Sequence, residues 1–258
     1  MPNTWLTDGL ANLGIKHGDV VLVHSSMKGL GYVDGGPEAV IEALLDAVGP
    51  FGTVLFPTLT GTAADGPEKP PQIDLCTTPC WTGLIPETAR QRPEAVRSAH
   101  PTHSIVALGA NQQEWTSGHE HGHSPCDDAS PYFRLMEHGG KILLLGGVDQ
   151  DSNTSIHCIE EIAAVPYHLQ HEVTEGLVRL RDGETVVVRN RLHLWRNRYS
   201  HLNLLRNFNV VSDPLIKAGY QRSVTIGKTE RTLVDAHGML EVLLPILADD
   251  PLFLLERM

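Results

Sequence analysis

The sequence is short of cations: 20 Lys and Arg stand against 31 Asp and Glu, a formal net charge of −11. No basic stripe is available to displace counterions from a phosphate backbone, so nucleic acid is not expected as a partner. Long apolar runs are also missing. Ile142-Leu143-Leu144-Leu145 and the stretch from Leu243 to Leu247 are far too short to span a bilayer, so no membrane partner is expected. Met1-Pro2-Asn3-Thr4-Trp5 has neither a basic start nor an apolar core, and predicts no secretion signal. Cysteine is scarce and unevenly spaced (Cys76, Cys80, Cys126, Cys158), which predicts reduced thiols and a cytoplasmic location. The rest is ordinary for a globular protein: 258 residues, 41% hydrophobic and 20% charged, enough to bury a core without disulfides. Histidine is the exception, with 14 residues, several crowded between His119 and His123.

The pattern along the chain predicts an α/β fold. Val20-Val21-Leu22-Val23-His24 is a run of buried-strand type closed by Ser25 and Ser26. Glycines at 29, 31, 35 and 36 lead to Pro37, suited to the first turn of a helix with Val40, Leu44, Leu45 and Val48 on its apolar face. Thr53 to Phe56 then reads as a second strand, completing a parallel crossover. Residues 59–82, rich in proline and glycine, form a long irregular excursion. A helix near Pro86–Gln91, a strand Ile105–Leu108, a helix Tyr132–His138 and a strand Lys141–Leu145 follow. A further helix is expected to begin near Asn153. Asp182-Gly183 signals a hairpin between Glu172–Leu180 and Thr185–Arg189, with a second about Gly227-Lys228 and a helix from Met239 to Leu247. The expectation is one domain over 1–258, with a mixed, largely parallel central sheet flanked by helices. A hairpin-containing antiparallel part lies at about 172–235.

The richest stretch runs from Gly146 to Glu161: a strand end, a polar loop, then a helix. Ligands in open α/β sheets bind beyond the carboxyl ends of strands, where this loop lies. Ile156, Ile159 and Ala163 share the core face of the helix, while His157 and Glu160 are three apart and can meet. A carboxylate beside an imidazole orients it and raises its pKa, which suits a general base working near neutral pH. The plain alternative is a partly buried histidine beside a surface glutamate. Glu161 reads as a solvated charge. Cys76, Cys80, His119, His121, His123 and Cys126 offer zinc-suited atoms, but at a spacing that matches no established finger; scattered loop residues are expected and no metal is required.

Asn153-Thr154-Ser155-Ile156-His157-Cys158-Ile159-Glu160 resembles the signature of the aminoglycoside 3-N-acetyltransferase family. It is joined, in the family's order, by Val23-His24-Ser25-Ser26-Met27-Lys28-Gly29-Leu30-Gly31, Asp34-Gly35-Gly36-Pro37 and Gly52-Thr53-Val54-Leu55-Phe56-Pro57-Thr58. Gly83-Leu84-Ile85-Pro86-Glu87, Arg97-Ser98-Ala99-His100-Pro101-Thr102-His103-Ser104, Ser124-Pro125, Ser130-Pro131 and Gly140 to Gly146 complete it. The resemblance implies acetyl-coenzyme A as donor and an amine as acceptor. It implies His157 as general base, Glu160 as the residue that orients it, and a donor site built from Ser25, Ser26, Lys28, Arg97, Ser98, His100, Pro101 and Ser104. Taken alone, those serines read as a strand-end turn and Arg97 as a surface charge. Thr154 is placed to donate a hydrogen bond to the oxyanion of the attacked thioester; it and Asn153 suit helix capping equally.

An aminoglycoside is a polycation and calls for carboxylates. Asp65 in the excursion, together with Asp149, Asp151 and Asn153 beside the helix, are the candidates for the acceptor side. The run from Arg189 to Tyr199 is basic and aromatic, and opposes a polycation if it borders the same cleft. Three alternatives stay open: transfer to a non-aminoglycoside amine, a coenzyme A or antibiotic-binding module without turnover, and a hydrolase using Ser25 or Ser26.

Overall fold

The computed structural model describes residues 4–194, 204–226 and 229–257. In chain order the elements are α1 (Thr4–Leu13), β1 (Val20–Ser25), α2 (Met27–Leu30), α3 (Gly36–Val48), β2 (Thr53–Pro57), β3 (Gln72–Asp74) and α4 (Leu84–Gln91). Then come β4 (Val96–Arg97), β5 (Ile105–Gly109), α5 (Gln112–Thr116), α6 (Pro131–Glu137), β6 (Lys141–Leu145) and α7 (Ile156–Ile162). The C-terminal part adds β7 (Thr174–Arg179), β8 (Thr185–Asn190), β9 (Leu204–Arg206), α8 (Ser212–Ala218), β10 (Gln221–Ile226), β11 (Thr229–Asp235), α9 (Ala236–Asp249) and β12 (Leu255–Arg257).

The main sheet has the order β10-β11-β6-β1-β2-β5-β4. Its centre, β6-β1-β2, is parallel, while β11 and β5 run against it on either side. Side chains alternate across each strand and so divide the interior in two. Leu22 and Leu144 face one core with Ile156, Ile159 and Met239. Val21, Val23 and Leu145 face the other with Leu10 and Leu44. The hairpin at Asp182-Gly183 forms as expected, with Gly183 at φ 90, but it builds a separate sheet β3-β7-β8 instead of extending the main one. The turn of the second hairpin, residues 227–228, lies outside the described residues; its strands β10 and β11 are antiparallel.

Several elements differ from the sequence expectation for local reasons. The excursion contributes β3, which pairs with β7 and so needs a partner a hundred residues away. Helix α1 buries Leu6, Leu10 and Leu13, an i, i+4, i+7 stripe too short to stand out. Helix α7 starts at Ile156 because a 3₁₀ turn at Gln150–Ser152 and an extended Asn153 come first. Helix α9 is longer at both ends: the Asp235 carboxylate accepts from Gly238 N–H and caps it early. Among the described residues no helix is long and apolar enough to cross a membrane.

Candidate active site

A cavity of about 310 Å³ opens at the carboxyl ends of β1 and β2 and beside the start of α7. Strand β1 contributes His24 and Ser25, the excursion Trp81 and Thr82, and the α7 entrance Thr154 and His157. The backbone is drawn tight around this wall. Gly146, at φ 82, turns the chain out of β6, and a Cβ on Gly29 of α2 would lie 1.7 Å from the Gly146 carbonyl oxygen. Only glycine allows that approach.

His157 lies on the cleft wall and its Nδ1 is 2.6 Å from Glu160 Oε2, the i+3 pairing the sequence predicts. Glu160 is fully buried. Nδ1–H therefore donates to the carboxylate, leaving Nε2 as the ring's proton-accepting lone pair. The pKa expectation is corrected in direction. Burial, helped by the Arg206 guanidinium, holds His157 well below the usual imidazole range instead of above it. Burial also pushes Glu160 up to about 7, opposed by Arg206. A buried pair of this kind holds the imidazole neutral, which is the form a base needs.

Glu161 is not a solvated charge. Its side chain is 4% exposed; Oε1 lies 2.6 Å from His193 Nε2, Cys126 N–H donates to the same oxygen, and the Ser124 hydroxyl donates to Oε2. The reason is packing: the last turn of α7 leaves Ile162 exposed and turns Glu161 inward, against Ser124, Cys126 and His193. His168 stands between the two acids, its Nδ1 3.2 Å from Glu160 and its Nε2 3.7 Å from Glu161. Its ring stacks on His157 at 4.8 Å.

The donor-site candidates fall into two groups. Ser25 lines the cleft. Ser26 accepts from Gly29 N–H and caps α2, and Lys28 is exposed on the same short helix. The residues from Arg97 to Ser104 are instead turned inward and do not reach the cleft. Arg97 is 4% exposed, and donates to Ser104 Oγ at 2.9 Å, Thr78 O at 2.8 Å and Thr58 O at 3.0 Å. Burial lowers its pKa to about 10 and leaves it cationic. Ser98 accepts from Ile105 N–H and donates to His119. His100 Nδ1 accepts from the N–H groups of Thr102 and His103, and Pro101 O accepts from the Thr60 hydroxyl. This network ties the excursion to β4 and β5, and so fixes the wall that carries Trp81.

The acceptor candidates separate likewise. Asp65 accepts from Thr62 N–H and Oγ–H and closes its own turn, away from the cleft. Asp149 accepts from Asp151 N–H and the Asn209 amide. Asn153 caps the entry to α7 by accepting from Ser155 N–H and donates to Gln150. Asp151 alone of the three aspartates lines the cavity, though its Oδ1 accepts from Phe208 N–H. Trp195 to Tyr199, the last five residues of the basic and aromatic run, lie outside the described residues.

The atoms weighed for zinc are dispersed. Cys76, His121 and His123 are exposed, His119 donates to Pro125 O, and Cys126 is buried. Ligand-like spacing occurs instead at His157, His168 and His193, and at Cys126, Glu161 and His193, whose nitrogens already face Glu160 and Glu161. The sequence reading missed His24, Trp81, Phe208 and His168 as residues of this region. For His24 the signal was present: alternation along β1 sets it on the Leu22 face, where α7 packs.

Residues 22–248 match the family model described as aminoglycoside 3-N-acetyltransferase. An aminoglycoside N(3)-acetyltransferase III of Salmonella sp is 32% identical over 90% of this chain and 86% of the relative. An aminoglycoside N(3)-acetyltransferase IV of Salmonella sp is 32% identical over 96% and 87%. Among solved structures, aminoglycoside acetyltransferase AAC(3)-Xa superposes with a TM-score of 0.81 at 31% identity, covering 96% of this chain and 93% of the other. AAC-IIIb, solved with CoASH, superposes with a TM-score of 0.77 at 28% identity, covering 96% and 97%. With the motif on α7, the cleft beside it and this coverage in agreement, the chain belongs to the aminoglycoside 3-N-acetyltransferase family.

Proposed function

We propose that this protein transfers the acetyl group of acetyl-CoA to an amine of an aminoglycoside antibiotic, the 3-amino group being the family's expected target, with His157 as general base. The observation that carries the reading is the 2.6 Å His157–Glu160 pair on the cleft wall. An ammonium ion has no lone pair and first loses a proton to water; the neutral amine then attacks the thioester carbon as His157 Nε2 takes the second proton from the nitrogen. The carbonyl oxygen becomes an oxyanion, to which Thr154 donates from the α7 entrance. Collapse breaks the C–S bond and the proton on His157 passes to the leaving thiolate. Glu160 keeps the ring in the required tautomer and offsets its transient charge. Ser25 and Lys28 serve the donor; the Arg97–Ser104 network acts on it only through the wall it anchors. Four free cysteines agree with a cytoplasmic site of action.

One observation favours a second acceptor class. Among the described residues lining the cleft, Asp151 is the one carboxylate, which suits an amine with fewer charges than an aminoglycoside. Thiol release from acetyl-CoA across gentamicin, apramycin and simple monoamines tests both readings. Turnover of the aminoglycosides supports the first, turnover of monoamines alone the second, and no thiol release with any amine overturns the enzyme reading.

A further inference from the structure

His24 is the strongest unused group in the molecule. It sits at the end of β1, paired in register with Leu144 of β6, and is 7% exposed. Alternation along the strand puts its ring on the face where α7 packs, and it lines the same cleft as Thr154 and His157. Its Nε2 is buried without a hydrogen-bond partner among the described residues. A buried imidazole nitrogen left unpaired costs folding free energy, so a position that keeps one has a use for it outside the free protein. On the same strand Ser25 Oγ is also unpaired, but a hydroxyl hydrogen turns to suit any neighbour, whereas a ring N–H points one way.

We infer that His24 is a second oxyanion donor, its neutral imidazole giving an Nε2–H hydrogen bond to the thioester carbonyl oxygen opposite Thr154. This rests on the acetyl-transfer reading and adds a residue to it. A neutral imidazole carries one N–H in either tautomer, and an acceptor oxygen at Nε2 selects the tautomer that places it there. The ring keeps its proton throughout, so His24 does not compete with His157 as base. Burial, reinforced by His157, brings its pKa down to about 3, so it stays neutral across the working range. A neutral donor also avoids setting a second positive charge beside His157 when that ring takes up the amine proton. Energetically the contact is worth most at the transition state, because the bond strengthens as the oxygen becomes an anion.

Three variants test it: His24→Phe keeps the ring's bulk without a donor, His24→Gln sets an amide N–H near Nε2, and His24→Asn sets one near Nδ1. Thiol release is followed with acetyl-CoA and whichever amine of the panel wild type turns over fastest. His24→Phe should lower kcat by about 10²–10³-fold, with KM for both substrates within about threefold. Gln should recover most of the loss and Asn little, and the acidic limb of the pH profile should stay in place, since His157 sets it. Phe turnover within about threefold of wild type, Asn equal to Gln, or a shifted acidic limb overturns the assignment. Should Phe fail to fold, the Gln and Asn pair decides alone. Absence of thiol release by wild type would overturn the acetyl-transfer reading itself, an outcome separate from a normal wild-type rate left unchanged by the substitutions.

Discussion

His157 and His100 share most of their local properties. Each is largely withdrawn from water, His100 fully and His157 with 14% of its side chain exposed. Each is held well below the ordinary imidazole range by burial, and each packs against other histidine rings, His157 on His168 and His100 on His119. They differ in what their nitrogens meet. Both nitrogens of His100 are engaged within the fold: Nδ1 by two backbone N–H groups, Nε2 by the Asn190 side-chain amide. His157 gives one nitrogen to a buried carboxylate and lines a cleft. The direction of the titration shift therefore does not separate the imidazole proposed as base from one built into the scaffold. The uncommitted nitrogen beside open space does.

The sharpest break of that comparison is a pair of substitutions. His157→Ala should lower kcat by roughly 10²–10⁴-fold while leaving coenzyme A binding near wild type, because the ring acts on the acceptor's proton. His100→Asn should instead lower the melting temperature and leave kcat largely intact in the folded fraction. Comparable losses of turnover in both would show that the two clusters act as one unit. Calorimetry with coenzyme A, run beside the thiol assay, supplies the binding half of the test.

The next effect separates the two acids of α7. Glu160→Gln keeps the shape but removes the charge that balances His157 during transfer, so kcat should fall by about 10²-fold. Glu161→Gln should act mainly on stability, since its carboxylate holds Ser124, Cys126 N–H and His193 against the helix. Urea midpoints and kcat measured on both variants resolve this; a larger kcat loss in Glu161→Gln would reverse the assignment.

A smaller and broader effect follows from the buried imidazoles taken together. His24 is lowered to about 3 and His119 to about 4, with His100, His103, His168 and His193 shifted the same way by burial. Groups whose folded pKa is depressed give stability that is full above the unfolded value near 6.5. It is lost as pH falls toward the folded values, because the unfolded chain binds protons the fold refuses. Glu160, raised to about 7, has the opposite sign: its contribution is lost as pH rises from its unfolded value near 4.5 through 7. Glu161, also pushed up by burial, shares that sign. Two carboxyls against several imidazoles still leave the acid side in control, at roughly 1.4 kcal/mol per unit of pKa difference for each group. Urea midpoints should fall steeply from pH 6.5 to pH 4.5. A flat profile would mean that these rings are open to protons in the native state.

How much of this was legible beforehand follows from the range of each interaction. The His157–Glu160 pair spans one helical turn, so spacing allowed it and the family resemblance chose it over a surface glutamate, and the crossover of β1, α3 and β2 is written in consecutive runs. The interior place of Arg97 was hidden because its acceptors, Thr58 and Thr78, lie in a loop whose path depends on β3 finding β7. Glu161 was misjudged for the same reason: the groups that bury it, Ser124 and His193, are over thirty residues away on either side. Asp65 looked like an acceptor carboxylate because the turn that consumes it has no signature beyond Thr62 three positions earlier.

The smallest expected effect compares the acceptor carboxylates. Asp151 lines the cleft and Asp65 closes a turn outside it. Asp151→Asn should raise KM for an aminoglycoside several-fold and leave kcat nearly unchanged, since it removes an attraction present in ground and transition states alike. The wild-type KM should rise with salt, and the variant's should rise less, because the contact is only partly sheltered from ions. Asp65→Asn should leave KM and its salt dependence as in wild type and cost a little stability through the lost turn bonds. A monoamine acceptor carries no further ammonium group for Asp151 to hold, so its KM should not respond to Asp151→Asn at all. If KM for gentamicin is equally unmoved, the acceptor's charges are held by other residues and Asp151 has no part in choosing the substrate. If Asp65→Asn moves it instead, the turn opens onto the acceptor, and the division between cleft and scaffold drawn from the two histidines fails for the two aspartates.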